Sequence, residues 1–226
     1  STIALDFCRQ AAIHNQTTTA IFSLEMSRSE IAMRLLSAET GVWLQKMRSG
    51  EMNSQDWTQV SKRIGEISSA PLFIDDSPNM TMSEIRAKCR RLKQQHNLGL
   101  VVIDYLQLMS SGKAVESRQQ EVSEFSRSIK LLAKELEVPV IAVAQLNRGV
   151  ETRSDRRPML SDLRESGSLE QDADVVMLLH RPEAYDPDDR PGEADVIVAK
   201  HRNGPTDTIR VVFQGAQARF ANLATI

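Results

Sequence analysis

The chain has 226 residues, 41% of them hydrophobic and 26% charged, and carries a formal net charge of −2. That length supports a domain with a sizeable core, and the composition is that of a globular protein, neither disordered nor fibrous. The near-neutral balance excludes a globally basic nucleic-acid binder, so such binding needs a local patch; no run of about 18 apolar residues marks a membrane span, and no signal peptide is visible.

Ile3, Leu5 and Phe7, with Ala11 to Ile13 beyond, predict a helix to about Asn15 that starts without a cap of its own. A phosphate-binding loop of the form G-x-x-x-x-G-K-[ST] ends in Ser or Thr at a helix N-terminus, and Ser1 could be that residue. Taken alone, these few residues favour a ragged terminus.

Thr19 to Leu24 predicts a short strand that runs into Glu25. Ser27-Arg28-Ser29-Glu30 reads as a capping box opening a helix over Ile31, Met33, Leu35 and Leu36. Glu25 therefore lies at a strand-to-helix turn, where it either polarises a water or simply decorates the surface. Val42 to Ser69 predicts two helices broken at Ser49-Gly50. Their expected buried stripe is Trp43, Leu44, Met47, Trp57, Val60 and Ile64, so the tryptophans pack rather than stack on bases. Pro71 to Asp76 is a strand ending in two acids, and Thr81-Met82-Ser83-Glu84 is a second capping box. The helix it opens carries Arg86, Lys88, Arg90, Arg91 and Lys93, read as a solvated basic face.

Leu100-Val101-Val102-Ile103-Asp104 is four apolar residues ending in a carboxylate. A run apolar on both faces suits a strand inside a parallel sheet, and an acid at its carboxyl end sits where open α/β sheets bind ligands. Asp104 either helps hold Mg²⁺ against phosphates or caps the next turn. Ser110 to Ser117 is a polar loop, and a long helix runs from Arg118 to about Glu137 on Val122, Phe125, Ile129, Leu132 and Leu136. Pro139 to Ala144 is one more buried strand and delivers Gln145 to its carboxyl end, beside Glu25 and Asp104.

Asn147 to Gly167 turns polar and loop-like, with Arg148, Arg153, Arg156, Arg157 and Arg164. Arginines and backbone amides on such a loop can hold nucleic-acid phosphates without reading bases. Ala173 to Leu179 returns as a strand, and Ala194 to Ala199 and Thr208 to Phe213 flank the hairpin signal Asn203-Gly204. Lys200 and Arg202 are expected on one face of that hairpin, either as a solvated tip or as cations projecting into a neighbouring subunit. Cys8 and Cys89 are too few for a disulfide framework or a four-ligand zinc site, and are read as reduced core thiols of a cytoplasmic protein. Strand and helix alternate to about residue 180, then antiparallel strands close the sheet: an α/β fold with a mainly parallel sheet and helices on both faces.

Several stretches together carry a resemblance. They are Ile21-Phe22-Ser23-Leu24-Glu25-Met26-Ser27, Val102-Ile103-Asp104-Tyr105-Leu106-Gln107-Leu108, Asp162-Leu163-Arg164-Glu165-Ser166-Gly167 and Ala199-Lys200-His201-Arg202-Asn203-Gly204-Pro205. With Glu84 to Lys88, Arg118 to Glu124 and Leu136 to Ala142, they make the chain closely resemble the C-terminal motor domain of the bacterial replicative DNA helicases, the DnaB family, whose core is a RecA-like P-loop NTPase.

The resemblance implies ATP and Mg²⁺ as cofactors, a homohexameric ring, and single-stranded DNA as the track. It implies that Ser1 is the phosphate-loop hydroxyl on Mg²⁺ and that Asp104 is the second metal-site residue. Glu25 is then the glutamate that activates water, and Gln145 the γ-phosphate sensor. Arg34 matches an arginine at the nucleotide site. Lys200 and Arg202 match the finger that acts in trans. Arg164, Glu165 and Gly167 match the loop on the DNA backbone, and Ser110 to Ser117 is expected to face the channel. In the full-length protein a primase and a helicase loader are expected partners. The glycines and lysine of the phosphate loop are not in this chain, which is expected to be the motor domain cut just after that lysine and to hydrolyse little ATP alone. Two rivals remain: a RadA-type recombination ATPase, whose hairpin Lys-Asn-Arg-Phe-Gly differs from Lys200-His201-Arg202-Asn203-Gly204, and a non-catalytic assembly module.

Overall fold

Side-chain alternation along one strand sets the architecture. In this computed structural model, residues 1–109 and 118–223 are described, without the side chains of 118 and 164–167. β3 (Leu100–Asp104) is an inner strand of a four-stranded parallel sheet of order β2-β1-β3-β4, with β1 at Thr19–Ser23, β2 at Leu72–Asp75 and β4 at Val140–Ala142. Successive residues of a strand face opposite sides. Val101 and Ile103, with Ala20 and Phe22, pack on Ile85 and Cys89 of α5 (Met82–His96) and on Phe125, Ile129 and Leu132 of α6 (Arg118–Leu136). Leu100 and Val102, with Ile21, pack on Ala4, Leu5 and Cys8 of α1 (Thr2–Arg9) and on Ile31 and Leu35 of α2 (Arg28–Thr40). Each such buried side chain contributes about 1.5–3 kcal/mol relative to exposure.

α1 continues through a π turn, Gln10–His14, and the chain enters β1 at Thr19. From Thr2 to His14 is roughly 20 Å of helix, about the length of a five-residue strand. A helix lying on the sheet and returning into β1 therefore has its N-terminus, and Ser1, at the carboxyl edge of the strands.

The antiparallel strands do not close that sheet. β5 (Val175–His180), β6 (Glu193–His201), β7 (Asp207–Gln214) and β8 (Arg219–Asn222) form a second four-stranded sheet. β4 is only three residues long, and the chain then leaves it in 3-10 turns at Arg148–Thr152 and Leu160–Ser166. Val176 and Leu178 of β5 instead pack on Leu146, Leu160 and Leu163. β8, unexpected from its weak alternation, ties the second sheet to the first: Phe220 N–H donates to Asp6 Oδ2 at 2.7 Å, and Arg219 Nη1 donates to the Ala38 carbonyl at 2.8 Å.

Two expectations about helices are corrected. Trp43 and Trp57 are 57% and 55% exposed, and Ile64 is also exposed. Only Leu44 and Val60 of that stripe are buried, and Met47 is half-buried. α3 (Leu44–Ser49) is short, and α4 (Ser54–Ser69) packs along α2 rather than on the sheet, so a narrow line of it is covered. The Ser27 box is half formed: Ser27 Oγ accepts from Glu30 N–H at 3.3 Å, but the Glu30 carboxylate is taken by Arg34 and Arg48. The Thr81–Glu84 box is complete.

The basic face of α5 is exposed but paired. Arg86 and Arg90 both hold Glu135 of α6, and Lys88 holds Asp75 at the end of β2 at 2.5 Å. Under α1, α2 and α4 lies Glu39, whose side chain is 1% exposed and is met by Arg9, His14 and Arg63. Burial pushes this carboxyl up, but its three partners outweigh that and hold it down to about 2. Cys8 and Cys89 are buried free thiols, each pushed up to about 12 by burial, which leaves them unreactive.

Candidate nucleotide site at the carboxyl edge of the parallel sheet

Three adjacent strands deliver three polar residues to one edge. Ser23 of β1 stands beside Asp104 of β3 in register, and Leu24 N–H donates to the Asp104 carbonyl at 2.8 Å. Ser23 Oγ then folds the turn, donating to the Met26 carbonyl at 2.8 Å and accepting Met26 N–H at 3.0 Å. Met26 is buried by this turn and Glu25 is left exposed, pointing its carboxylate to solvent at the sheet edge.

Asp104 shares the parity of Leu100 and Val102, so its side chain faces α1. The residue is 0% exposed, and neither carboxylate oxygen has a hydrogen-bond partner among the described residues. Its charge reaches Cys8, where it adds to the effect of burial in raising the thiol. A buried carboxylate without donors is costly, and a cation arriving at it offsets that cost. Mg²⁺ suits the donor set: a hard ion, it is commonly held by one or two carboxylates together with phosphates and water. The described residues contain no cluster of three or more His, Cys, Asp or Glu that would cage a metal by protein groups alone.

Ser1 caps α1 at this edge; it is exposed, and its hydroxyl makes no capping bond. Gln145 lies beyond β4, with its side chain exposed and its main chain gripped by Gln107. The acids that end β2 are already committed, Asp75 to Lys88 and Ser77, and Asp76 to the Arg28 N–H at 2.8 Å. Arg34 is engaged by Glu30 one helical turn away, at 2.9 Å.

The remaining candidates lie elsewhere. Lys200 does not project as expected: its ammonium donates to the carbonyls of Glu170 (2.5 Å) and Gln171 (3.2 Å) in α7 (Gly167–Asp172). Arg202 does project, 67% exposed by side chain, with Asp174 at 3.3 Å. Asp174 also pairs with Lys130 of α6, which places the hairpin on the sheet face opposite α1. Within one chain, then, Lys200 and Arg202 do not join Ser1, Glu25, Asp104 and Gln145.

Arg164 and Glu165 lie in the 3-10 turn and Gly167 opens α7, with side chains outside the described residues, as is the whole of Ser110 to Ser117. The arginine-rich stretch before them is braced from within. Arg153 grips Asp162 through two bonds (2.8 and 2.6 Å), and Arg157 holds buried Asp195 at 3.1 Å. Those two arginines are therefore structural, a correction to reading the whole set as phosphate contacts. Sequence reasoning also missed Gln107, whose only signal was an amide between two leucines just past Asp104.

Known proteins agree with this geometry. The family model described as DnaB-like helicase C terminal domain matches residues 1–222. Replicative DNA helicase DnaB of Leifsonia xyli subsp. xyli is 68% identical over 100% of this chain and 50% of its own length. The DnaB of Geobacillus stearothermophilus is 50% identical over 97% of this chain and 49% of its own. The chain thus spans about half the length of these curated relatives. Among solved structures, an isolated ATPase domain superposes with a TM-score of 0.94 at 39% identity, covering 99% of this chain and 80% of that one. A DnaB-like replicative helicase, solved for its interactions with primase, gives 0.92 at 40% identity, covering 97% and 54%. With a family match from end to near end and relatives this similar, the chain belongs to the DnaB-like helicase C-terminal domain family.

Proposed function

We propose that this chain is the ATP-driven motor domain of a replicative DNA helicase, working as one subunit of a homohexameric ring that moves on single-stranded DNA. The observation that carries the reading is Asp104, a fully buried carboxylate without a partner among the described residues, on the strand between those leading to Glu25 and Gln145.

Asp104 and the Ser1 hydroxyl are the groups that would hold Mg²⁺ with the ATP phosphates. When bound, the ion neutralises phosphate charge that builds up during phosphoryl transfer. Glu25, exposed at the edge, accepts the proton of the attacking water. Gln145 senses the γ-phosphate and heads the segment that leads to Arg164, Glu165 and Gly167. These hold the DNA backbone and read no bases, so the motor walks on any sequence and its grip falls with salt. Arg34 lines the nucleotide side of α2 and leaves Glu30 to do so.

Lys200 and Arg202 act in the adjacent subunit's site. Their distance from this chain's own Asp104 edge supports action in trans, as does the exposure of Arg202. Lys200 must first leave the carbonyls of Glu170 and Gln171. The solved relative described with primase supports a primase contact in the full-length protein, alongside a loader, in the cytoplasm where the chromosome is copied.

The test is ATP turnover and strand separation on a forked duplex, by this chain extended N-terminally through a complete phosphate loop. DNA-stimulated hydrolysis with unwinding is expected. Nucleotide-independent assembly without turnover would favour an assembly module instead. The RadA-type alternative gains no support from the family match.

A further inference from the structure

Past Asp104 the chain leaves the strand ladder, because Leu106–Leu108 is a 3-10 turn. The last backbone bond from this stretch to the chain beyond β4 runs from Leu106 N–H to the Val143 carbonyl at 3.0 Å. Gln145 stands two residues further on. There the Gln107 side chain takes the place of a neighbouring strand. Its Oε1 accepts the Gln145 N–H at 3.2 Å, and its Nε2 donates to the Gln145 carbonyl at 3.2 Å. A carboxamide carries the same donor and acceptor as a peptide unit, so one side chain satisfies both main-chain groups of one residue. On its far side the segment is tied down again, with Leu146 in the second core and Asn147 N–H on the Asp162 carbonyl at 3.0 Å.

We infer that Gln107 is a positioning residue. It holds the backbone of Gln145 so that the sensor carboxamide faces the phosphates, and it couples the strand carrying Asp104 to the segment leading to the DNA loop. This rests on the role given to Gln145 under Proposed function.

The experiment uses the N-terminally extended protein carrying Gln107→Ala or Gln107→Met, the latter keeping the volume without the amide. Hydrogen exchange at the Gln145 amide reads the clamp without any catalysis. Loss of a neutral hydrogen bond is expected to speed it about five- to tenfold in both variants. DNA-stimulated kcat is expected to fall about fivefold or more with the KM for ATP unchanged, and the nucleotide dependence of single-strand affinity is expected to weaken. In a Gln145→Ala background, Gln107→Met is expected to add no further loss, because it acts through that residue. Unchanged exchange at Gln145, or an equal additional loss in that background, overturns the positioning role. If Gln145→Ala silences turnover and Gln107→Met does not, the positioning role alone fails. If Gln145→Ala is itself without effect, the sensor assignment fails and takes this inference with it.

Discussion

Asp104→Asn is expected to stabilise the folded chain while removing its hold on a nucleotide-bound cation. The carboxylate is fully buried, and both oxygens lack a partner among the described residues. An ionised group in that setting costs several kcal/mol, whereas a neutral polar group left without a partner costs about 1–3 kcal/mol. The isosteric amide is therefore expected to recover about 1–3 kcal/mol. For a chain of this size, each kcal/mol moves the midpoint by about 2–4 °C, so Tm should rise by about 3–10 °C. Thermal unfolding of the two proteins without nucleotide, followed by circular dichroism near neutral pH, measures it. In protein extended through the phosphate loop, the same variant should lose the Mg²⁺ dependence of nucleotide binding. A Tm that falls, or Mg²⁺-dependent binding that survives, would refute the reasoning: the carboxylate would then be stabilising the fold and not waiting on a cation.

Glu39 gives a pH prediction of defined sign. Its folded value of about 2 lies below the ordinary 4.5, so its stabilisation is present above that ordinary value and is lost as pH falls toward 2. The shift corresponds to roughly 3 kcal/mol. Urea unfolding of wild type and Glu39→Gln should show a gap that narrows as pH drops from 5 to 3, and a constant gap would contradict it. Arg202→Ala is expected to abolish ATP turnover by the ring, and mixing it with Glu25→Gln subunits should restore some at mixed interfaces; absence of any rescue argues against action in trans. Arg164→Ala should weaken single-strand binding equally across sequences and lower the salt slope by about one. A loss confined to particular sequences would mean that bases are read.

How much of this was legible depends on what each feature rests on. β3 and its two apolar faces follow from the run Leu100 to Ile103, because alternation and burial are local properties of a strand. Glu25, Asp104 and Gln145 at one edge follow from three such strands being parallel. The fate of a side chain depends on what packs beside it, and there the sequence was mute. Trp43 and Trp57 have helical spacing but no second layer to cover them. Lys200 looks like a projecting cation until α7 brings two carbonyls to it. Arg153 and Arg157 look like phosphate ligands until Asp162 and Asp195 are seen beside them. The split into two sheets depends on where β4 stops, and Val140 to Ala142 carry no mark of it.

Glu25→Gln in the N-terminally extended protein bears most directly on the motor assignment. Nucleotide affinity and ATP turnover should be measured side by side on the same preparation. Affinity within about twofold of wild type, with turnover lowered at least about a hundredfold, is the expected result. Turnover at the wild-type rate would contradict the assignment of Glu25 as the residue that activates water, and with it the site built around Asp104.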